Sequence, residues 1–192
     1  MELRTMPAIE LEHWYAAELT EAFPPHERKP LAEIRGLIAA GRYEIVGLYD
    51  GPALVGYANL LWDPGWPGYV LLDYLGVTPA RRNQGLGGVL LHHLARRYAG
   101  KALVIAEAEA PDPASGPDDL RRHRLGFYFR NGFAVAYDSA ACGQRLKTLV
   151  LGPMPEDLGA LAKAHKAIYG PLRTDVIAPL EPGQTPPPPY WM

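Results

Sequence analysis

The chain has 192 residues, 48% of them apolar and 21% charged, a balance typical of one globular domain that excludes a disordered or fibrous class. Its formal net charge of −2 gives no electrostatic reason to expect nucleic acid as a partner, because nucleic-acid-binding domains usually carry clustered Lys and Arg. There is no membrane-length apolar run, no export leader and only one cysteine, Cys142, so we expect a cytoplasmic protein without a membrane partner.

The first part of the chain is predicted to form a short strand, two amphipathic helices and a hairpin. The strands are expected at residues 2–6, 43–49 and 53–62, and the helices at residues 9–23 and 31–40. Asp50 and Gly51 favour the tight hairpin turn, because glycine adopts a positive φ without strain. The loop between the helices, FPPHERKP, is stiffened by prolines and carries Glu27 and Arg28.

The middle of the chain carries a glycine-rich turn between a strand and a helix. The strand is predicted at residues 69–77 and is apolar enough to be buried on both faces, and the helix is predicted at 88–99. The intervening RNQGLG, residues 82–87, would point several backbone N–H groups at one spot, where the helix dipole also favours an anion. This arrangement predicts a phosphate-binding turn.

The remaining elements complete a mixed sheet. Strands are expected at 102–110, 135–142 and 146–151, a helix that carries Tyr128 lies between the first two, and a last helix is expected at 156–169. Proline dominates from residue 171 to the end, TPPPPYWM, which predicts a disordered tail, with packing of Tyr190 and Trp191 against the body or a partner as the alternative. We predict an α/β (α+β) fold with a mixed, mainly antiparallel sheet flanked by helices.

Two motifs in this order resemble those of the GNAT superfamily of N-acetyltransferases. RNQGLG matches the pattern Arg-x-x-Gly-x-Gly of the pyrophosphate-binding loop, and FYFRNGF, residues 127–133, is similar to the Tyr-x-x-x-Gly-Phe segment that closes the same coenzyme site. The resemblance covers about residues 1–152. It therefore implies an acetyltransferase domain at 1–152, followed by a C-terminal helix at 153–170 and a proline-rich tail at 171–192.

The resemblance implies acetyl-CoA as co-substrate, with no metal. Asn83 stands where many members carry glycine, yet asparagine tolerates left-handed backbone geometry. Arg121 and Arg124 stand where the family often carries an asparagine and a small residue, and each is a candidate for contact with a coenzyme phosphate or with an acidic group on the acceptor. The residues expected to bind the coenzyme are Leu75, Val77, Arg82, Asn83, Gln84, Gly85, Leu86, Gly87, Gly88 and Arg124.

Acetyl transfer to an amine requires a base for the ammonium and an acid for the departing thiolate. Tyr128 matches the family tyrosine taken as that acid. Glu107 and Glu109 lie two residues apart on one strand and so share a face, where burial and mutual repulsion would raise their pKa values and suit a base. Asp73 on the neighbouring strand is the rival base. The choice among these three carboxylates stays open.

The acceptor is expected to be a primary amine of a small molecule, acetylated by direct transfer in a ternary complex. Glu27, Arg28 and Arg121 are the residues expected to contact it. Acetylation of a protein lysine or N-terminus, and a non-catalytic acetyl-CoA-binding sensor or assembly module, are the alternatives. His92 and His93 point to different helix faces without ligands nearby, so no metal site is expected. A homodimer fits the family.

Overall fold

A seven-stranded sheet forms the centre of the fold in the computed structural model, which describes residues 1–189. The strand order is β1-β2-β3-β4-β5-β7-β6, and every neighbouring pair is antiparallel except the parallel pair of β4 and β5. The strands are β1 (Glu2–Thr5), β2 (Tyr43–Asp50), β3 (Ala53–Leu61), β4 (Tyr69–Val77), β5 (Leu103–Glu109), β6 (Phe133–Ala141) and β7 (Gln144–Leu151). The predicted fold class is confirmed.

Helices cover both faces of this sheet. They are α1 (Leu11–Trp14), α2 (Thr20–Ala22), α3 (Leu31–Ala39), α4 (Leu86–Tyr98), α5 (Leu120–Arg130) and α6 (Leu158–Tyr169). On β4 the side chain of Leu71 packs with Ile34 of α3 and Leu161 of α6, whereas Val70 packs on the opposite face with Leu91 of α4. Alternate residues of the central strand are therefore buried on opposite faces, as its continuous apolar sequence predicts.

The stretch predicted as one helix at 9–23 is interrupted. A 3-10 turn (Ala8–Glu10) leads into α1, a π turn (Tyr15–Leu19) follows, and α2 ends the stretch. Trp14 and Leu19, five positions apart, are both buried. The wider π turn brings this pair towards the same side of the helix, which a regular 3.6-residue period does not do.

The parallel strands β4 and β5 separate halfway along their length. Their pairing runs from Tyr69 opposite Leu103 to Leu72 opposite Ala106 and ends there. At the next residue, Asp73, the register between β3 and β4 also shifts, so that Asp73 occupies a β-bulge. The carboxyl halves of β4 and β5 therefore leave an opening within the sheet.

Part of the C-terminal segment, residues 173–180, packs along the edge strand β6. Ile177 forms a bridge with Ala140, and Val176 and Leu180 are 2% and 4% exposed. Burial of these aliphatic side chains compensates for ordering the segment, so the prediction of a disordered tail is wrong here. The alternative role of Tyr190 and Trp191 lies outside the described residues.

The proposed domain boundaries stay a prediction. Within residues 1–189, no helix combines the length and the apolar character needed to cross a bilayer.

Candidate active site

A cavity of about 730 Å³ opens where β4 and β5 separate. It brings together most of the residues that the sequence singles out: Glu27, Arg28, Asp73, Leu75, Val77, Arg82, Asn83, Gly85, Leu86, Gly87, Gly88, Glu107, Glu109, Arg124 and Tyr128. Gln84 and Arg121 do not line it. The Nε2 of Gln84 lies 3.4 Å from the Ala80 carbonyl oxygen, and the guanidinium of Arg121 pairs with the N-cap residue Asp119.

One end of the cavity is the glycine-rich turn. Asn83 and Gly85 have φ angles of 61° and 76°, so the left-handed geometry expected to be tolerated at Asn83 is adopted. The turn leads directly into α4, which begins at Leu86, earlier than predicted, without a side-chain cap. Because the first N–H groups of a helix have no partner within it, this end of the cavity favours an anion.

The two glycines that follow are closely packed against α5. A Cβ on Gly87 would lie 3.1 Å from the ring of Phe127, and one on Gly88 would lie 3.0 Å from Oδ1 of Asn131. Asn131 in turn donates to the Phe127 carbonyl oxygen. These contacts hold the start of α4 against the end of α5, so the two motifs that are separate in the sequence form one wall.

Two arginines add positive charge to this wall. Arg82 forms an ion pair with Glu21 and donates from Nε to the Val77 carbonyl oxygen. Arg124 lies 3.5 Å from Glu109, with its side chain 53% exposed. Both pairs are open to solvent and therefore weak, so either arginine can exchange its carboxylate for another anion at little cost.

Tyr128 is buried between aromatic neighbours and faces the cavity. Its ring centroid lies 5.4 Å from that of Phe127 and 5.1 Å from that of Phe133, and the residue is 8% exposed. Burial raises the pKa of Tyr128 to about 12, against a small opposing effect of the Arg124 charge. The phenol therefore keeps its proton at neutral pH and can act as a donor.

Glu107 lies in the cavity wall with its side chain 12% exposed. Tyr169 of α6 donates a hydrogen bond to Oε2, and Nε2 of His165 lies 3.2 Å from Oε1. Burial raises the pKa of Glu107, but the charge and contact of His165, the Tyr169 hydrogen bond and the Arg173 charge outweigh it, so the pKa lies below its usual value. The expectation of a raised pKa is wrong for this residue, because its partners come from an element whose contacts the sequence does not reveal.

Asp73 is held by an ion pair across the cavity. Lys29 Nζ lies 2.6 Å from Oδ1, and the Tyr43 hydroxyl donates to Oδ2 at 2.6 Å. Tyr74 fixes the same loop, since its hydroxyl donates to the Glu27 carbonyl oxygen at 2.7 Å and accepts from the Lys29 N–H at 2.8 Å. The charged loop is therefore pinned onto β4.

Sequence reasoning missed the contribution of α6 and the segment after it. Tyr169, Arg173 and Cys142 line the cavity, and Arg173 lies 4.7 Å over the Tyr169 ring. Cys142, expected within a strand, instead occupies the β6–β7 turn with a φ of 53°. The available signal is His165 and Tyr169, two polar-tipped residues four positions apart on the apolar stripe of α6.

Within the described residues, no three potential ligands cluster in a way that could hold a metal ion. The expected absence of a metal stays a prediction.

Comparison with known proteins gives consistent results. The model of the acetyltransferase (GNAT) family matches residues 8–133. Over 170 residues the chain is 27% identical to a curated Bacillus subtilis (strain 168) protein named putative acetyltransferase YjbC, a match that covers 84% of this chain and 82% of the relative.

Solved structures show the same fold. A protein from Bacteroides thetaiotaomicron, described as a putative acetyltransferase of the GNAT family, superposes with a TM-score of 0.70 at 20% identity, covering 89% of this chain and 99% of its own. An aminoglycoside 6′-N-acetyltransferase complexed with coenzyme A gives a TM-score of 0.62 at 16% identity, covering 82% and 99%.

Proposed function

The chain belongs to the acetyltransferase (GNAT) family, an N-acetyltransferase family that uses acetyl-CoA, and from this premise we propose that it acetylates a primary amine of a small molecule by direct transfer in a ternary complex. The observation that carries the proposal is the single cavity that joins an anion-binding turn to buried carboxylates across the gap between β4 and β5. Both reactants can occupy such a cavity at once. A cytoplasmic location is part of the same proposal.

The turn end suits the coenzyme. The uncapped start of α4, the left-handed residues Asn83 and Gly85, and the exposed arginines Arg82 and Arg124 offer N–H donors and positive charge to a pyrophosphate. Within residues 1–189, the pairing of β4 with β5 ends at Leu72, so the backbone at Leu75 and Val77 can pair with an extended ligand arm, although the Val77 carbonyl oxygen also accepts from Arg82.

The chemistry is divided between the two sides of the gap. The acceptor amine reaches the enzyme mainly as an ammonium, with a pKa of about 10.4 for an alkyl amine, so a carboxylate of Glu107, Glu109 or Asp73 removes its proton. Tyr128 donates a hydrogen bond to the sulfur as negative charge develops there. The cavity walls hold both groups around the reacting carbonyl.

The way the loop at residues 27–29 is held against β4 favours a small acceptor. The Lys29–Asp73 ion pair, 11% and 6% exposed, and the two hydrogen bonds of Tyr74 hold residues 27–29 against β4. Tyr169 and Arg173 close the other side. A polypeptide substrate requires an open groove past the reacting group, whereas a small amine requires only access to the cavity. Aminoglycosides, after which the neighbour complexed with coenzyme A is named, are one candidate class of acceptor.

The test is a thiol-release assay with acetyl-CoA and a panel of amino acids, polyamines, aminoglycosides and lysine peptides. We expect turnover with one class of small amine and intersecting initial-rate patterns. Turnover of peptides alone would establish a protein acetyltransferase instead. Coenzyme binding without any turnover would favour a sensor or assembly module.

A further inference from the structure

Glu107 is the centre of a buried polar cluster, and the proposed reaction gives no role to the other members of that cluster. Oε2 accepts from the Tyr169 hydroxyl, and Oε1 faces Nε2 of His165 at 3.2 Å. The other imidazole nitrogen, Nδ1, lies 3.1 Å from the Tyr137 hydroxyl. His165 is 0% exposed. A carboxylate on the cavity wall thus has an imidazole directly behind it.

The 3.2 Å contact between Nε2 of His165 and Oε1 of Glu107 can become an ion pair when the imidazole is protonated, but it is not a regular hydrogen bond. Within residues 1–189, neither Nε2 nor Oε1 makes any hydrogen bond of good geometry. A buried imidazole nitrogen without a regular partner is costly in a purely structural role. The pair is better explained as a site where a proton moves.

The other two carboxylates are less suited to accept a proton. Both oxygens of Asp73 are occupied, one by the Lys29 ammonium and one by the Tyr43 hydroxyl, each at 2.6 Å. Glu109 is 31% exposed and pairs with the more exposed Arg124. Of the three candidate carboxylates, only Glu107 has an imidazole beside it. Glu27 also lines the cavity next to His26, but that contact is wider, at 3.7 Å, and both side chains are more exposed than those of the Glu107–His165 pair.

We infer that Glu107 and His165 act together as the base of the proposed acetyl transfer, with Glu107 as the catalytic carboxylate and His165 as a positioning residue that stores the proton. This inference rests on the proposed function, because it names the base of that same site. It assigns a role to α6, which lies outside the segment matched by the family model.

The proton balance is complete. An N–H bond of the acceptor ammonium breaks and leaves its electron pair on nitrogen, the proton passes to Glu107, and a proton passes on to Nε2 of His165. The result is an imidazolium beside a carboxylate, a net-neutral pair that suits a buried site. In this scheme Nδ1 carries a hydrogen and donates to Tyr137. The C–N bond then forms and the C–S bond of the thioester breaks. The departing sulfur takes the Tyr128 proton, and Tyr128 takes the second proton of the nitrogen. When the products leave, the stored proton returns from His165 through Glu107 to the solvent in the cavity.

Six other charged or titratable residues surround Glu107 and His165, and none of them is changed in the variants described below. They come from α6, from β6 and its turn, from the segment after α6 and from the loop across the cavity: Tyr169, Tyr137, Cys142, Arg173, Lys29 and Asp73.

The first test is kinetic and uses the fastest acceptor of the panel at saturation. We expect His165→Gln to lower kcat by about 10²-fold and to move the acid limb of the kcat profile to lower pH, because a single carboxylate replaces the pair. Glu107→Gln should lower kcat at least as much, and the double variant should be no slower than Glu107→Gln alone. The matched control is His92→Gln on the exposed side of α4, with wild-type kcat expected.

Two kinetic results would overturn the inference: multiplicative losses in the double variant, or an unchanged pH profile in His165→Gln. Calorimetric binding of acetyl-CoA by each variant verifies that the coenzyme site is intact.

The second test does not depend on turnover. In ¹⁵N-histidine-labelled full-length protein, the Nε2 signal of His165 should differ between the wild type and Glu107→Gln, because an amide replaces the carboxylate 3.2 Å away, whereas the His92 signals should be the same in both proteins. A His165 signal that is the same in both proteins would sink the inference. If no amine is acetylated, the proposed function fails, and this spectrum still decides whether Nε2 of His165 interacts with Glu107.

Discussion

Tyr128 joins two properties that an acid for a thiolate requires. Its burial between Phe127 and Phe133 raises its pKa to about 12, and it lines the cavity. The phenol therefore stays protonated throughout the working pH range, and we expect no alkaline loss of kcat from this group below about pH 10.

Replacing Tyr128 by phenylalanine tests this role. Tyr128→Phe keeps the ring packing and removes the proton donor, so kcat should fall by about 10²-fold while acetyl-CoA affinity is kept. Tyr98→Phe on α4, outside the cavity, is the matched control and should behave as wild type. Full activity of Tyr128→Phe would remove the tyrosine from the mechanism.

Gly85 is a backbone requirement of the turn. Its φ of 76° is a left-handed conformation, although a Cβ there would meet no atom within 4 Å. We expect Gly85→Ala to cost about 1–2 kcal/mol of folding free energy through backbone strain alone and to weaken coenzyme binding. Thermal unfolding and calorimetry measure the two effects.

Gly36 in α3 provides the control for Gly85. It is exposed, has no positive φ, and a Cβ there would also meet no atom within 4 Å. Gly36→Ala should stabilise the protein by up to about 1 kcal/mol, because alanine is the better helix former. Equal stability of the two variants would contradict the account of the turn.

For individual residues, the sequence predicts the role where that role depends on local backbone geometry. The positive φ of Asn83 follows from the residue types of the turn. Lys29 opposite Asp73, and Tyr169 and His165 against Glu107, could not be predicted, because each contact joins residues at least 44 positions apart. The charge of a side chain does not by itself indicate which distant residue will contact it.

At the scale of elements, the C-terminal segment acts as a cover for the edge strand β6. The Ile177–Ala140 bridge pairs with that edge, and Asp175 accepts from the Cys142 N–H at 2.7 Å while it pairs with Arg173 at 2.8 Å. An uncovered edge would offer unpaired backbone groups to other chains.

Truncation after residue 170 should therefore destabilise the protein. The loss of buried Val176 and Leu180 costs about 1.5–3 kcal/mol for each side chain, and the exposed edge should promote aggregation. Truncation after residue 182 keeps both side chains and is the control. Urea unfolding of the two proteins is the measurement, and equal midpoints would show that the segment does not stabilise the fold.

Asp175 makes this cover sensitive to acid. Burial raises its pKa, but the hydrogen bonds from Arg173 and the Cys142 N–H and the Arg173 charge outweigh burial, so its pKa lies below the usual value. A depressed carboxylate pKa stabilises the fold above about pH 3.9, and this stability is lost as the pH falls through the folded-state pKa.

The corresponding variant is Asp175→Asn. We expect it to cost about 2–4 kcal/mol at neutral pH, because Arg173 loses a buried charge partner, and to lose less further stability in acid than the wild type. Unfolding free energies measured from neutral pH down to about pH 3 test both parts. Parallel pH curves for the two proteins would contradict the assignment.

The sequence predicts most elements and misses those shaped by tertiary contacts. Hydrophobic periodicity locates the strands and α3 to within about two residues, because each buries a regular stripe or face. The π turn near Trp14 and the packed segment at 173–180 break local rules. In both, buried contacts with distant strands override the local preference.

At the scale of the whole molecule, the separation of β4 and β5 explains why these residues form one site. It places the turn of α4, the wall of α5 and the carboxylates of β5 around one cavity of about 730 Å³. The pinned loop at 27–29 and the end of α6 close it from the other side. Binding of the coenzyme at the turn is the premise on which the acceptor and the base both depend.

The most direct test of this premise is a calorimetric titration of the full chain with acetyl-CoA, with Gly85→Ala and Gly36→Ala titrated beside the wild type. We expect saturable binding at one site, weakened by Gly85→Ala and unchanged by Gly36→Ala. Absence of binding, or equal affinity in all three proteins, would contradict the placement of acetyl-CoA at this turn.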